Sequence, residues 1–570
     1  MYKFKLTNFL IIFIVIVLCF FIVLDDFLGT NLQKLKLESN QYSEIVAKRQ
    51  ISKESLIDKL YFNNHDLLYD KQDNMWYYSI VKGEKDSFNP KVKFKGRDKD
   101  LKISFLLPQE INNDFIRTNK DIIVFSYTKD KYFVSKVKIT TLPVINITHN
   151  YPNKIEKTTT VDCQMNLFDN YKGTKQRNIS SKCEIHARGD YTSTLEKTSF
   201  KLSLKTYSVG EHKRNNHISL LGMRKDDDWI LYSPYVESEK VRNVFAMNLW
   251  NESCAQNNDF NIKLGNEYKF VELFFNGTYY GLYALTSPID EKQARLKKDI
   301  NGNFDEFMFK KVWWDKSEFN ISNIPSVMLG YKLISKNNKE LDIPEPKDYR
   351  EIMDQEYRYF QYNKGAWEII NLYYKNLLNT KDKDLVYKIA DIKNSVDIFL
   401  FINFLQCTDS IDAFNYKPHS IKHFFFTFKK YKNIYKALYN PWDLEAILGA
   451  SVMIDNNFPR NGQYQYLNRP NKNFIMKISP VWHLLELNDN KIKMLIKNRY
   501  RVLRKSYWSK SHLLKLIKGY EKDIYLSGAY IREQNRWPQG TYQESNKKLK
   551  RFRNYVLKRL YYMDLYVKQL

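Results

Sequence analysis

One stretch near the start limits what this chain can be. Leu6 to Leu24 reads LTNFLIIFIVIVLCFFIVL and carries no charge. At about 1.5 Å rise per residue it spans about 28 Å as a helix, close to a hydrocarbon core of roughly 30 Å. Lys3 and Lys5 precede it, and Asp25 and Asp26 follow it. Positive residues stay cytoplasmic, so the expectation is a single-pass cell-membrane protein. A cytoplasmic tip and signal-anchor would occupy residues 1–26, with the bulk of the chain extracytoplasmic. The competing reading is a cleaved signal peptide. Against it, the apolar run is longer than a usual h-region and no small-x-small site follows.

Behind the anchor, residues 27–50 are polar and read as a helical stalk. Residues 51–141 hold short alternating runs such as WYYSIV from Trp76, KISFLL from Lys102 and IIVFSY from Ile122. Charged turns separate them, which predicts a small β-sandwich-like domain. Residues 142–570 form the rest. An edge-like strand is expected at Leu142-Pro-Val-Ile-Asn-Ile, then strands over 161–167, 182–187 and 199–205. In the last, Phe200, Leu202 and Leu204 share one face and Ser199, Lys201 and Ser203 the other. Asn276-Gly277 between two aromatic-rich runs predicts a hairpin over 269–286. Helical spacing is read at 350–378 and 389–407, strands return at 421–440, and the chain from Val481 onward is helical and basic. The fold class is therefore α+β, a β-rich part followed by an α-rich part.

Composition narrows the function. The net charge is +27, with 91 Lys and Arg against 64 Asp and Glu. This basic surplus is spread along the chain, without a nucleic-acid module, and suits an anionic envelope or lipid surface better than nucleic acid. No GxSxG, HExxH or GxxxxGK[ST] motif occurs, which argues against serine hydrolase, zinc protease and P-loop ATPase. His419 and His423 are four apart, but the segment reads as strand, where that spacing does not bring side chains together. Cys163 and Cys183 flank a polar loop. They either face each other across a hairpin, and in an oxidising compartment bond, or are two unrelated core residues.

The residues with chemistry lie at the ends of apolar strands. Asn440-Pro-Trp-Asp-Leu-Glu places Asp443 and Glu445 just past a hydrophobic strand, where carboxylates suit Mg²⁺ beside a phosphate. Asp409 or Asp412 follows an apolar helix, and a hairpin leads from there to Asp443. An acidic loop, a hairpin and a second acid is the order of kinase-type phosphoryl-transfer sites. Lys201, on one face of a strand well upstream, supplies a cation for the nucleotide phosphates.

Five blocks of sequence then resemble one family. IHARGDYTS from Ile185 with KTSFKLSL from Lys197 is the first, and Leu220-Leu-Gly with DWILYSPY from Asp228 and Val241-Arg-Asn the second. FVELFFNGTYYGLY from Phe270, NPWDLE from Asn440 and LKRFRNY from Leu549 complete the set. Together they are similar to the spore coat protein H (CotH) kinase family over roughly residues 142 to 565. The resemblance implies an atypical protein-kinase-like fold in a secreted or envelope protein. Such a protein would phosphorylate Ser/Thr hydroxyls of an envelope or surface-layer protein, with ATP and Mg²⁺ or Mn²⁺. Position by position, Lys201 falls on the phosphates, Arg188 on the turn that closes the phosphate loop, and Asp409 (or Asp412) on the catalytic loop. Asp443 becomes the metal ligand, with Glu445 beside it.

There are departures from the family pattern. Asp190 stands for Asn, Glu445 for Asp, Ser287 for Glu and Pro288 for Lys. His423 stands where an Asn is usual, with Asn415 nearby. Arg188-Gly-Asp190 also spells an integrin-type tripeptide, read here as a turn. An alternative to turnover is a catalytically weak or inactive kinase-fold module for surface assembly or adhesion.

Overall fold

In the computed structural model, described residues are 29–80, 88–170, 178–189, 191–207, 213–298, 305–311, 331–334, 340–341, 369–370, 372–377, 380–408, 424–451, 465–466, 470–472, 474–475 and 480–570. The expected anchor (1–26), most of the helix read at 350–378, and Asp190, Asp409, Asp412, Asn415, His419 and His423 lie outside them. None of the described helices is long and apolar enough to cross a membrane.

The chain opens with two sheets on one core. One carries the strands Thr30–Asn31, Ile57–Phe62, His65–Asp66 and Lys91–Gly96. The other is built mainly from Leu68–Asp70, Met75–Ser79, Lys102–Leu106, Ile122–Tyr127 and Lys131–Thr140. Leu60, Phe62, Trp76, Phe105, Val124 and Val137 fill the space between them. The stretch read as a stalk is part of this unit. Leu32 is buried in its core, Leu37 N bonds Phe105 O at 2.8 Å, and the helix Ser39–Ala47 packs Ile45 against Phe125. Its polar composition hid three apolar anchors spaced too far apart to form a stripe.

The next sheet contains β1 (Val144–Thr148), β2 (Val161–Phe168), β3 (Asn178–Arg188), β4 (Ser199–Tyr207), β5 (Asp228–Tyr232), β6 (Lys269–Phe275) and β7 (Thr278–Thr286), with the short strand Lys213–Asn215 beside β4. Their order is β3-β2-β1-β6-β7-β5-β4, and β4 pairs back onto β3. The sheet is thus a closed barrel. The β1 strand, expected at an edge, lies between antiparallel β2 and parallel β6. Alternation fills the interior with Ile147, Met165, Ile185, Leu202, Trp229 and Val271, among others. The hairpin turns at Asn276 and Gly277, both left-handed (φ 51° and 83°), as a two-residue turn matched to strand twist demands. Cys163 and Cys183 sit directly opposite in the β2–β3 register, both as free thiols. Opposed strand residues lie about 4.5–5.5 Å apart at Cα, inside the disulfide range.

Outside the barrel lies α1 (Arg242–Ser253), almost wholly buried. The α-rich part follows: β8 (Phe307–Lys311), α2 (Ile392–Leu405), β9 (Phe424–Tyr431), β10 (Ile434–Pro441), α3 (Asn490–Lys505), α4 (Lys510–Ile524), α5 (Ala529–Arg536) and α6 (Lys550–Gln569). Asp391 caps α2 by accepting from Asn394 N, and left-handed Gln406 ends it. One core joins α1, α2, β8 to β10 and α3 to α6, and it takes in Tyr232, Phe270, Leu282 and Ala284 from the barrel's outer face. The barrel wall is therefore also the roof of the helical part.

Candidate active site

Alternation on β4 sends Phe200, Leu202 and Leu204 into the barrel and leaves Lys201 on its outer wall, a quarter exposed. Its ammonium lies 3.1 Å from Asp228 Oδ2 on β5, and Ser203 Oγ donates to Asp228 Oδ1 at 2.5 Å. His186 is directly opposite Lys201 on β3. Burial pushes the His186 imidazole below its usual value, and the charges of Lys201 and Arg188 push the same way. Arg188, the last residue of β3, is thus on this wall too, ahead of left-handed Gly189 (φ 111°).

From the other side comes the loop after β10. Asp443 is partly exposed and left-handed (φ 57°), and Glu445 is buried. Two residues of α1 clamp this loop. Asn243 Oδ1 accepts from Leu444 N at 3.0 Å, and Arg242 Nε donates to Ile447 O at 3.0 Å. The Tyr268 phenol senses the charges of both wall and loop. Its hydroxyl is pushed up to about 12, first by burial and further by the negative charges of Asp443 and Glu445, while Arg188 opposes. One phenol therefore feels Arg188 from the barrel and both carboxylates from the loop.

Lys201 and Arg188, far apart from the acidic loop in sequence, share one wall of the barrel, and the charges of Arg188, Asp443 and Glu445 all act on Tyr268. Thr408 N–H bonds Ala446 O at 3.0 Å, and Asp409 and Asp412 lie outside the described residues. Sequence reasoning gave no role to Asp228, Tyr232, Asn243 and Tyr268. The first three lay in the DWILYSPY and Val241-Arg-Asn blocks, whose recurrence was the one available signal.

The segment that departs from the family at Ser287 and Pro288 is a charge network. Arg224 donates to Ser287 Oγ at 3.1 Å, to Pro288 O at 2.9 Å and to Asp290 Oδ2 at 3.0 Å. Arg224 thus joins Ser287, Pro288 and the buried Asp290 carboxylate. His217, Asp226 and Asp227 crowd together nearby, as metal ligands would. There, however, Lys292 lies 3.1 Å from Asp226 and 2.6 Å from Asp227, and Arg224 lies 2.7 Å from Asp226. Burial alone would raise Asp227; the hydrogen bond and charge of Lys292 hold its carboxyl below the ordinary value. Cationic side chains already occupy the place of a metal.

A metal implied for the wall site meets a suitable donor set. Asp443 offers hard carboxylate oxygens at a partly exposed position, as Mg²⁺ and Mn²⁺ require. No curated protein matches the chain. The CotH kinase protein family matches residues 185–563, from the β3 strand that carries His186 and Arg188 to the closing helix α6. With that match over most of its length, the chain belongs to the CotH kinase family.

Proposed function

We propose that this protein is a membrane-anchored, extracytoplasmic kinase that transfers the γ-phosphate of ATP to Ser/Thr hydroxyls of an envelope or surface protein. One observation supports the reading above others: Arg188 shares the barrel wall with Lys201, and the charges of Arg188, Asp443 and Glu445 act together on Tyr268. Cations on one side and a carboxylate on the other are what a triphosphate with its metal needs. Lys201 holds the nucleotide phosphates, with Asp228 fixing its ammonium. Arg188 adds positive charge where the phosphate loop closes. Asp443 is the metal ligand, and Asp409 (or Asp412) orients the acceptor hydroxyl. When bound, a divalent cation neutralises charge on the phosphate oxygens. ATP must be supplied on the extracytoplasmic side.

The test uses the full chain in nanodiscs with labelled ATP and Mg²⁺ or Mn²⁺. Autophosphorylation is expected, reduced at least about a hundredfold in Asp443→Asn and at least about tenfold in Lys201→Met, in line with the loss of preorganised charge. Absence of nucleotide binding by the wild type defeats the reading. An envelope phenotype that persists in Asp443→Asn would favour the assembly or adhesion module instead.

A further inference from the structure

We propose that Cys163 and Cys183 are a thiol–disulfide exchange site, at which a small disulfide oxidant converts the pair into a cross-strand disulfide between β2 and β3. The bond forms whether or not the barrel wall transfers phosphate.

The β2–β3 register sets Cys163 directly against Cys183, so both side chains leave the sheet on the same face. That face is the barrel interior. Cys183 is 1% exposed within its core, and the partly exposed Cys163 packs against the same core. Polar contacts on the outer face pin the register on both sides of the pair. One step along, Asp162 opposes Glu184, and Lys213 Nζ reaches both, at 2.7 and 2.8 Å. On the other side, Gln164 Nε2 donates to Ser180 Oγ at 2.7 Å, and Ser180 Oγ donates to Asn166 Oδ1 at 2.8 Å. A slip of one residue would turn these groups into the core. Opposed residues carry Cβ atoms about 4.5–5.5 Å apart and a disulfide needs about 3.5–4.5 Å, so closure asks for a shift of about 1 Å and no new pairing.

The two thiols have different parts. The Cys183 thiol is pushed well above its ordinary value, first by its hydrogen bond with Cys163 and then by burial. Cys163, nearer solvent, is therefore the point of entry. Its thiolate attacks one sulfur of the oxidant's disulfide and expels the other as a thiolate. Cys183 then gives up its proton and attacks Cys163 Sγ, expelling the second oxidant thiolate. The protein pair loses two electrons, the oxidant becomes two thiols, and the two protein protons end on them. Cys183 also opposes Leu204 across the β3–β4 seam. The bond thus staples the strand at which the barrel closes and which carries Arg188 at its end.

The experiment treats the full chain in nanodiscs with oxidised glutathione, quenches by alkylation and maps the non-reduced peptides by mass spectrometry. Trypsin cuts after Lys182, so the two cysteines fall in separate peptides that only a disulfide joins. The wild type is expected to lose two titratable thiols and to give the Cys163–Cys183 peptide. It should also unfold at least about 3 °C higher than its reduced form, as cross-linking a loop of this length allows. Cys183→Ser should stop at a glutathione adduct on Cys163. Cys163→Ser should take up glutathione at Cys183 at least about tenfold more slowly. A wild type in which both thiols persist, or in which either residue pairs with any other cysteine, overturns the site. Equal adduct rates in the two serine variants overturn entry through Cys163. A bond that forms without raising the unfolding midpoint overturns the staple.

Discussion

At the scale of single residues, backbone conformation and close contacts decide which substitutions report on chemistry. Asp443 sits at φ 57°, where Asn is tolerated and Ala is strained. Asp443→Asn is therefore the cleaner probe, and Asp443→Ala should cost about 1 kcal/mol more in denaturant unfolding. Gly281 is tighter still. It has φ 130°, and a Cβ there would collide with Glu533 Oε2 and meet Lys197 Nζ at 3.1 Å. Those two atoms belong to a wholly buried ion pair, Lys197 Nζ to Glu533 Oε1 at 2.6 Å. Glu533 also accepts from Leu282 N at 2.8 Å. Gly281→Ala should destabilise by at least about 2 kcal/mol, since it strains the backbone and disturbs a buried charge pair. The spacing of Lys201 on its strand was legible, because period-two alternation needs no partner to be seen. Its companion Asp228 was not, because the pairing of β4 with β5 brings together strands more than twenty residues apart.

Among elements, the start of α1 is the joint that organises the site. Burial alone would raise the Glu239 carboxyl, but Arg242 and Arg551 prevail and hold it down to about 2. A folded value below the ordinary 4.5 means this stabilisation is complete above about pH 4.5 and is lost as pH falls toward 2. Arg551 reaches Glu239 from α6 at 2.8 Å and is itself 42% exposed. Arg551→Ala should therefore cost only about 1 kcal/mol at neutral pH. It should also move the acid-unfolding midpoint, followed by fluorescence, to higher pH. The sequence did not show α1 as a helix. Buried on nearly every side, it carries no apolar stripe to read. Conversely, α2 announced itself through a continuous apolar run, and the β6–β7 hairpin through its Asn-Gly turn.

For the whole molecule, α5 fastens the N-terminal sandwich to the barrel. Arg532 bonds Glu272 Oε1 at 2.7 Å on β6, and Asn119 Oδ1 at 2.8 Å and Thr140 Oγ1 at 3.1 Å in the sandwich. Tyr77 of the sandwich stacks on Tyr279 of the barrel, with 5.6 Å between ring centroids. Arg532→Met should cost about 3–5 kcal/mol, because it leaves Glu272 buried without its guanidinium. Limited proteolysis should then release the residues before 142 more readily than in the wild type. The sequence by itself determined the local features: the apolar run at 6–24, the alternating strands, the Asn-Gly hairpin, and the family blocks with Lys201 and Asp443 in order. These depend on neighbours along the chain, through pleat, turn geometry and side-chain period. Only the tertiary structure decided that the sheet closes between β3 and β4, that the expected stalk is packed, and that Glu445 turns inward while Asp443 does not. Each of those depends on contacts between segments distant in sequence, made where burial of apolar surface brings them together, and no local period records which distant partner a residue meets.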